Sequence, residues 1–331
     1  MTHIPVLLKE MLSQLSPQNN GIYVDATFGA GGYSKAILES ADCKVYAIDR
    51  DETVVKFYDN LNIKHPGRIE LFIEKFSNIK NILNNNSFEL EPSIISKFSP
   101  VILAGVQKKN VRSRPGMTPD GSINVVDGVI FDIGVSSMQL DSGERGFSFL
   151  HDGPLDMRMD NSSHISASTF VNALREEEIA NAIYNYGGER HSRKIARAIV
   201  NVRKKKTIKT TLELADIVRS VVSRRKSKID TATRTFQAIR IWVNDELEEL
   251  KKGIKAASEM LNKNGKLIVI TFHSLEDRIV KTFFKDLCEP KSADFKRFSL
   301  LNKKVIKASA EEVNANPRSR SAKLRAIQRL S

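Results

Sequence analysis

Apolar and polar positions follow two different rhythms along this chain. In the first third, short apolar runs are separated by segments of helix length. Gly21–Ala26, Lys44–Asp49 and Arg68–Phe76 read as strands, with helices opening near Ser34 and Glu52 between them. Asp127-Gly128-Val129-Ile130-Phe131-Asp132 is a further apolar run that ends in a carboxylate, as a central buried strand does. Strands alternating with helices predict an α/β fold built on a parallel sheet.

From about residue 140 to 234 the strand rhythm gives way to helical spacing. Ser166–Arg175 and Glu176–Tyr186 form a helical stretch that stops at Gly187-Gly188, and Glu189–Lys206 is helical and basic. Thr210-Thr211-Leu212-Glu213 is a capping box opening a helix through about Val222. Thr235 to about Leu261 reads as one long helix returning to the core, with Phe236, Ile239, Val243, Leu247 and Leu250 on its packed face. A strand at Lys266–Phe272 leads into His273-Ser274-Leu275-Glu276-Asp277-Arg278, where Ser274 and Asp277 have the spacing of a cap. His273 is then either a turn residue or a substrate contact at the carboxyl edge of the sheet. The expected organisation is a core of residues 1–140 and 235–331, interrupted by a helical domain of residues 141–234. Residues 84–126, rich in Asn, Gly and Pro turns, read as a flexible insert.

Candidate chemistry enters at Val24-Asp25-Ala26-Thr27-Phe28-Gly29-Ala30-Gly31-Gly32-Tyr33-Ser34, where a strand meets a glycine-rich turn and then a helix. Glycines let such a turn bend sharply and approach a ligand closely. Asp49 follows Gly29 by twenty residues, the interval at which a carboxylate accepts from ribose hydroxyls. A nucleoside cofactor is the reading. Ser34 stands where a dinucleotide fingerprint wants a small packing residue, with bulky Tyr33 beside it, so that match is imperfect. S-adenosylmethionine supplies a ribose without a pyrophosphate, and Asp25 with the turn backbone offers polar contacts for its amino-acid end.

The 331 residues carry a net charge of +13, which favours a polyanionic partner. The charge is clustered at Arg190–Lys194 running on to Arg203–Lys206, at Arg224–Lys228 and at Arg318–Arg325. Together the clusters read as a surface that tracks phosphates. Cys43 and Cys288 fit no metal-ligand spacing and point to a reduced, cytoplasmic compartment; no metal is expected. No apolar run reaches the ~18 residues of a membrane span, and the amino terminus lacks a signal-peptide pattern.

Several segments resemble the RsmH (MraW) family of small-subunit ribosomal RNA methyltransferases. They are His3–Glu10, Asp25–Ser34, Ala47–Asp51, Phe131–Asp141, Glu144–Phe149, Gly153–Asp160, Tyr186–Arg190, Ala232–Asn244, Phe272–Arg278 and Asn316–Ser321, in order over nearly the whole chain. The resemblance implies a Rossmann-like class I methyltransferase sheet with an inserted all-helical domain. It implies transfer of a methyl group from S-adenosyl-L-methionine to the N4 amine of one cytosine in the decoding region of 16S rRNA. By motif position, cofactor contacts carry over to Gly31, Gly32, Tyr33, Asp49, Phe76, Asp132 and Gln139. The family usually has His where this chain has Tyr33, and its Phe76-to-Asp132 interval is shorter.

A cytosine amine is a weak nucleophile, and an acceptor for its proton helps the new bond form. Asp132, or a backbone carbonyl within 133–137, is the expected acceptor. Phe147 and Phe149, beside Arg145, are candidates either to stack on the target base or to pack in the core. Arg190, Arg193, Lys204, Lys205 and Lys206, with His273, complete the expected RNA contacts. Naked rRNA and the assembled small subunit both remain open as substrate, as do monomer and homodimer. A nicotinamide-dependent oxidoreductase and a non-catalytic RNA-binding assembly factor are the competing readings; the basic clusters weigh against the first, and Asp49, Asp132 and the glycine turn against the second.

Overall fold

Apolar runs become strands and amphipathic segments become helices across the residues that the computed structural model describes, 5–84, 126–222, 230–289 and 297–331. The expected insert and the Arg224–Lys228 cluster fall outside them, apart from the insert's two end residues. In chain order, the first part contains α1 (Leu8–Leu15), β1 (Ile22–Asp25), α2 (Gly32–Ser40), β2 (Lys44–Asp49), α3 (Val55–Lys64), β3 (Ile69–Ile73), α4 (Ile79–Asn84) and β4 (Val126–Asp132). Then come α5 (Ser137–Asp141), α6 (Ala167–Ala173), α7 (Glu176–Gly187), α8 (Ser192–Arg203), α9 (Thr211–Val221) and α10 (Thr233–Asn244). The chain closes with α11 (Glu246–Met260), β5 (Leu261–Thr271), α12 (Ser274–Cys288), β6 (Phe298–Leu300), α13 (Ala310–Ala315) and β7 (Lys323–Arg329).

The strands form one sheet in the order β3-β2-β1-β4-β5-β7-β6. β1 to β5 run parallel, while β7 lies antiparallel to both β5 and β6. This is the expected Rossmann-like sheet, with an antiparallel pair of strands at one edge. Its core is filled by Val24, Ile48, Val129, Phe131, Leu267 and Val269 from the strands, packed with Leu250, Ile254 and Phe284 from α11 and α12. β6 and β7 are strands that the sequence reading passed over. β7 is Lys-Leu-Arg-Ala-Ile-Gln-Arg, and its alternation of buried Leu324 and Ala326 with charged neighbours was read only as a basic cluster.

Two units separate, Met1–Gly134 with Glu248–Ser331, and Val135–Leu247. The helical unit is thus longer at both ends than the expected 141–234. Its upper limit has a local cause. The long helix expected over Thr235–Leu261 is two helices, interrupted at Asp245, which adopts the left-handed conformation at φ 48°. Phe236, Ile239 and Val243 of α10 belong to the helical core, with Ile183, Ile199 and Val218 of α7, α8 and α9. Leu250 and Ile254 of α11 belong to the sheet core.

In the helical unit, a loop containing Gly153–Asp160 is fastened at both ends. Leu155 N donates to Lys209 O and Thr211 N to Gly153 O. Asn244 accepts from Met159 N at 2.8 Å and donates to Met157 O at 2.7 Å. Two segments that sequence reading listed separately, Gly153–Asp160 and Ala232–Asn244, meet through that one side chain.

Candidate functional site

Parallel register brings three carboxylates to one edge of the sheet. Asp25 ends β1 opposite Ala47 and Ile130, Asp49 ends β2 opposite Ile73, and Asp132 ends β4 opposite Ile270. The glycine turn lies between the first two. Gly29 and Gly31 both have positive φ, at 53° and 75°. A Cβ on Gly31 would lie 2.8 Å from the Phe28 ring, and one on Gly32 2.2 Å from Pro5 Cγ, so both the bend and the packing demand glycine.

Asp49 ties this turn to β2. One oxygen accepts from Gly29 N at 2.8 Å and the other from Asp51 N at 3.0 Å. Each oxygen retains a lone pair for a further donor. Burial raises this carboxyl above its usual range, with the two backbone donors opposing the rise.

Asp25 is fully buried and accepts from Ser34 Oγ at 2.7 Å and from Thr27 N. The position that spoils a dinucleotide fingerprint therefore has its own task, holding the first residue turn of α2 onto β1. Burial pushes the Asp25 carboxyl up to about 6, against the Ser34 bond that lowers it. Asp132 is held through its backbone N, which donates to Thr27 Oγ1 at 2.7 Å. Its Oδ1 is enclosed and has no hydrogen-bond partner. Burial and the nearby Asp25 charge push this carboxyl up to about 8, opposed by the Tyr33 hydroxyl. No arginine or lysine among the described residues forms an ion pair with Asp25, Asp49 or Asp132.

Tyr33 is buried, and its hydroxyl donates to Val6 O at 2.6 Å. Burial, then the Asp132 charge, raises its pKa well above that of a free phenol. Its hydroxyl thus faces both the amino-terminal segment and Asp132. Phe76 opens the 3-10 turn after β3, half-buried, with its ring edge-on to Phe131 at 5.3 Å. His273 and Glu276 form the capping box of α12, displacing by one residue the Ser274–Asp277 box expected from sequence. Glu276 accepts from Phe272 N and His273 N, donates its own N toward His273 Nδ1, and sets a carboxylate oxygen 2.8 Å from Nε2. Both spacings fit a capping box in sequence; the backbone turn selects the first.

Gln139 lies in the helical unit, where it and Ser136 cap α5 reciprocally. Arg145 donates to the Arg158 and Met159 carbonyls and lies over the Phe147 ring. Phe147 is buried, and Phe149 packs edge-on to Phe236 at 4.8 Å with Arg219 over its face. Both rings pack with the helical core, Phe147 within it and Phe149, half-buried, against it. Arg190, Arg193, Lys204 and Lys205 are exposed. Lys206 is exposed but pairs with Glu213 at 2.6 Å, while Arg203 turns inward to the Val171 and Leu174 carbonyls.

Comparison with known proteins gives this geometry a context. Residues 1–330 match the description MraW methylase family. A protein named ribosomal RNA small subunit methyltransferase H from Wolbachia sp. subsp. Brugia malayi is 81% identical over 100% of both chains. Its namesake in Wolbachia pipientis wMel is 79% identical over 100% of both chains. That of Ehrlichia ruminantium strain Gardel is 59% identical, again over 100% of both.

Proposed function

Because the chain belongs to the MraW methylase family, we propose that it methylates the N4 amine of a cytosine in 16S rRNA of the small ribosomal subunit. S-adenosyl-L-methionine is the donor, and the decoding region of an assembled subunit is the target. The observation that carries this reading is the carboxyl edge of the sheet: a turn bent by Gly29 and Gly31 at positive φ, Asp49 bonded to it, and the unpartnered Oδ1 of Asp132.

The residues fit the donor. Asp49 keeps acceptor capacity for ribose hydroxyls, the turn is open beside Gly29, where a Cβ would meet only Thr27 O at 3.9 Å, and Phe76 offers an apolar ring beside the end of β3 for the adenine. When bound, the sulfonium supplies an activated methyl group. The chain's task is to align the amine nitrogen with that carbon, an effect worth up to ~7–11 kcal/mol in well-oriented systems. Asp132 accepts the proton that the amine must lose; a carboxylate near the ambient pH suits this task. A donor cation nearby would oppose the rise that burial and Asp25 impose on Asp132 and favour its ionised form.

RNA is gripped by the exposed cations of the helical unit, Arg190, Arg193, Lys204 and Lys205, which give affinity through phosphates rather than bases. Arg145, Phe147 and Phe149 support that unit from within. Nucleoside mass spectrometry of small-subunit rRNA, from cells with and without the protein, tests the reading. Loss of one N4-methylcytidine signal is expected. An unchanged nucleoside profile refutes the assignment of base and atom.

A further inference from the structure

The basic stretch Arg318–Arg325 divides, once folded, into halves put to different uses. Lys323 and Arg325 lie on β7 and converge on Asp277, at 3.1 and 2.8 Å. Burial raises the Asp277 carboxyl, but the two cations outweigh it and hold it below its usual range. Arg318 and Arg320 instead project from the 3-10 turn Pro317–Ser321, and both are exposed. Arg320 makes no ion pair among the described residues.

This turn is built, with defined anchors. The Asn316 side chain accepts from Arg318 N at 3.2 Å. Ser319 between the two arginines is fully buried, and its Oγ donates to Asn316 O at 2.8 Å. Upstream, Glu312 of α13 accepts from Leu7 N at 2.7 Å, and the neighbouring Val6 O accepts from the Tyr33 hydroxyl. Two hydrogen bonds thus connect the helix that follows the glycine turn with the segment that carries the arginines.

Register fixes where the turn lies. Lys323 pairs with Thr271, the last residue of β5, and Asp132 pairs with Ile270. Arg320 precedes Lys323 by three residues, at most about 11 Å of chain. Adjacent strands are ~4.8 Å apart, so the Arg320 and Asp132 backbones lie within about 25 Å, a span of a few nucleotides.

We propose that Arg318 and Arg320 form a phosphate-contacting element on the sheet unit itself, seating the RNA backbone that flanks the target base. The proposal rests on the RNA-methylating reading above. Guanidinium groups suit the role because their forked donors match phosphate oxygens, and a fixed turn limits the order that binding must impose.

The test compares the Arg318→Gln/Arg320→Gln double variant and Arg320→Lys with the wild-type chain. Methyl transfer is followed on unmethylated small subunits and on naked 16S rRNA transcript, over a range of salt, with donor affinity measured by calorimetry. The double variant should raise KM for RNA about tenfold or more with kcat and donor affinity little changed. Its plot of log KM against log salt should be shallower by about 1–2, the loss of one or two phosphate contacts. Arg320→Lys should keep the wild-type salt slope. An unchanged KM and slope on both substrates overturns the proposal. A parallel loss of donor affinity also overturns it, assigning the arginines to the fold. If the wild-type chain methylates neither substrate, the underlying reading has failed, a result visible before any variant is made.

Discussion

Carboxylates of the helical unit and those that end β1, β2 and β4 are treated in opposite ways. In the helical unit they are matched to cations. Asp156 receives two bonds from the Arg158 guanidinium, Asp230 receives Arg219, Glu246 receives Arg240 and Glu178 receives Arg175. At the ends of β1, β2 and β4, Asp25 is fully buried and Asp49 and Asp132 half-buried, none of them in an ion pair among the described residues, and all three are pushed upward. Acids matched to arginines close a structure; acids left unmatched in a buried cluster resist their own ionisation and favour a cation that arrives later. The sulfonium of the proposed donor is such a cation. On the proposed function, the contrast separates charges that hold the fold from charges that face the donor.

Asp132→Asn is the strongest way to break the comparison. The amide preserves shape and removes both the charge and the capacity to take a proton. With saturating donor and RNA, single-turnover transfer should slow by roughly 100- to 10,000-fold, the range of general-base catalysis. Wild-type rates would assign the proton to another acceptor and make the unpaired state of Asp132 incidental.

On the other side of the comparison, Asn244→Ala should damage structure and leave the sheet-edge chemistry alone. The Asn244 amide satisfies Met159 N and the Met157 and Arg240 carbonyls. Met157 itself is buried at φ 60°, so the loop it sits in depends on outside support. Each buried group left without a partner costs about 1–3 kcal/mol, giving a loss of roughly 2–4 kcal/mol in urea unfolding. A change under about 0.5 kcal/mol would show that the loop does not rely on this residue.

The sheet edge was legible in the sequence to the extent that its chemistry is local. Apolar runs marked β1, β2 and β4, and the interval from Gly29 to Asp49 gave the relation of turn to acid without any contact being known. The Asp25–Ser34 bond was not legible, because nine residues and a turn separate partners that only the packing of α2 on β1 brings together. The helix break at Asp245 was hidden by an apolar rhythm that continues through Leu247 and Leu250. A single left-handed residue carries almost no compositional signal. β7 was hidden by its charges, since Lys323 and Arg325 look like surface until Asp277 is seen beneath them. In the helical unit, the aromatic neighbours of Arg145 fit two roles equally from sequence, and their packing with the helical core depends on contacts distant in sequence, such as Phe149 with Phe236.

Acidity offers a subtler probe. Asp25 and Asp132 rise from 3.8 to about 6 and about 8. Their folded values exceed their unfolded ones, so the folded chain binds these protons more tightly. The stability this confers is fully present below about pH 4 and is lost as pH climbs through about 6 and then about 8. A bound cation reverses the preference by favouring the ionised forms. Affinity for S-adenosyl-L-methionine should therefore rise with pH across this window, relative to that for S-adenosyl-L-homocysteine, which lacks the sulfonium. A change of a few-fold to about thirtyfold is expected from calorimetry, bounded by ~1.4 kcal/mol per proton and pH unit. A flat ratio would mean that the acid cluster does not sense the donor's charge.

The smallest effect concerns Lys206, whose neighbours Lys204 and Lys205 belong to the exposed cationic end of α8. Unlike them, Lys206 is engaged with Glu213, which is held down to about 2 by that cation first and by Lys209 N next. Glu213 also accepts from Thr210 N as part of the α9 capping box, so two backbone donors remain when the cation is removed. The pair is solvent-exposed and screened, and such pairs contribute about 0–1 kcal/mol. Lys206→Gln should lower stability by no more than that in urea unfolding. Because its charge is already half-spent on Glu213, it should also flatten the salt dependence of RNA binding less than Lys205→Gln does. Equal slopes for the two variants in a filter-binding titration would show that RNA competes Glu213 away, and that this ion pair belongs with the charges that face a ligand and not with those that hold the fold.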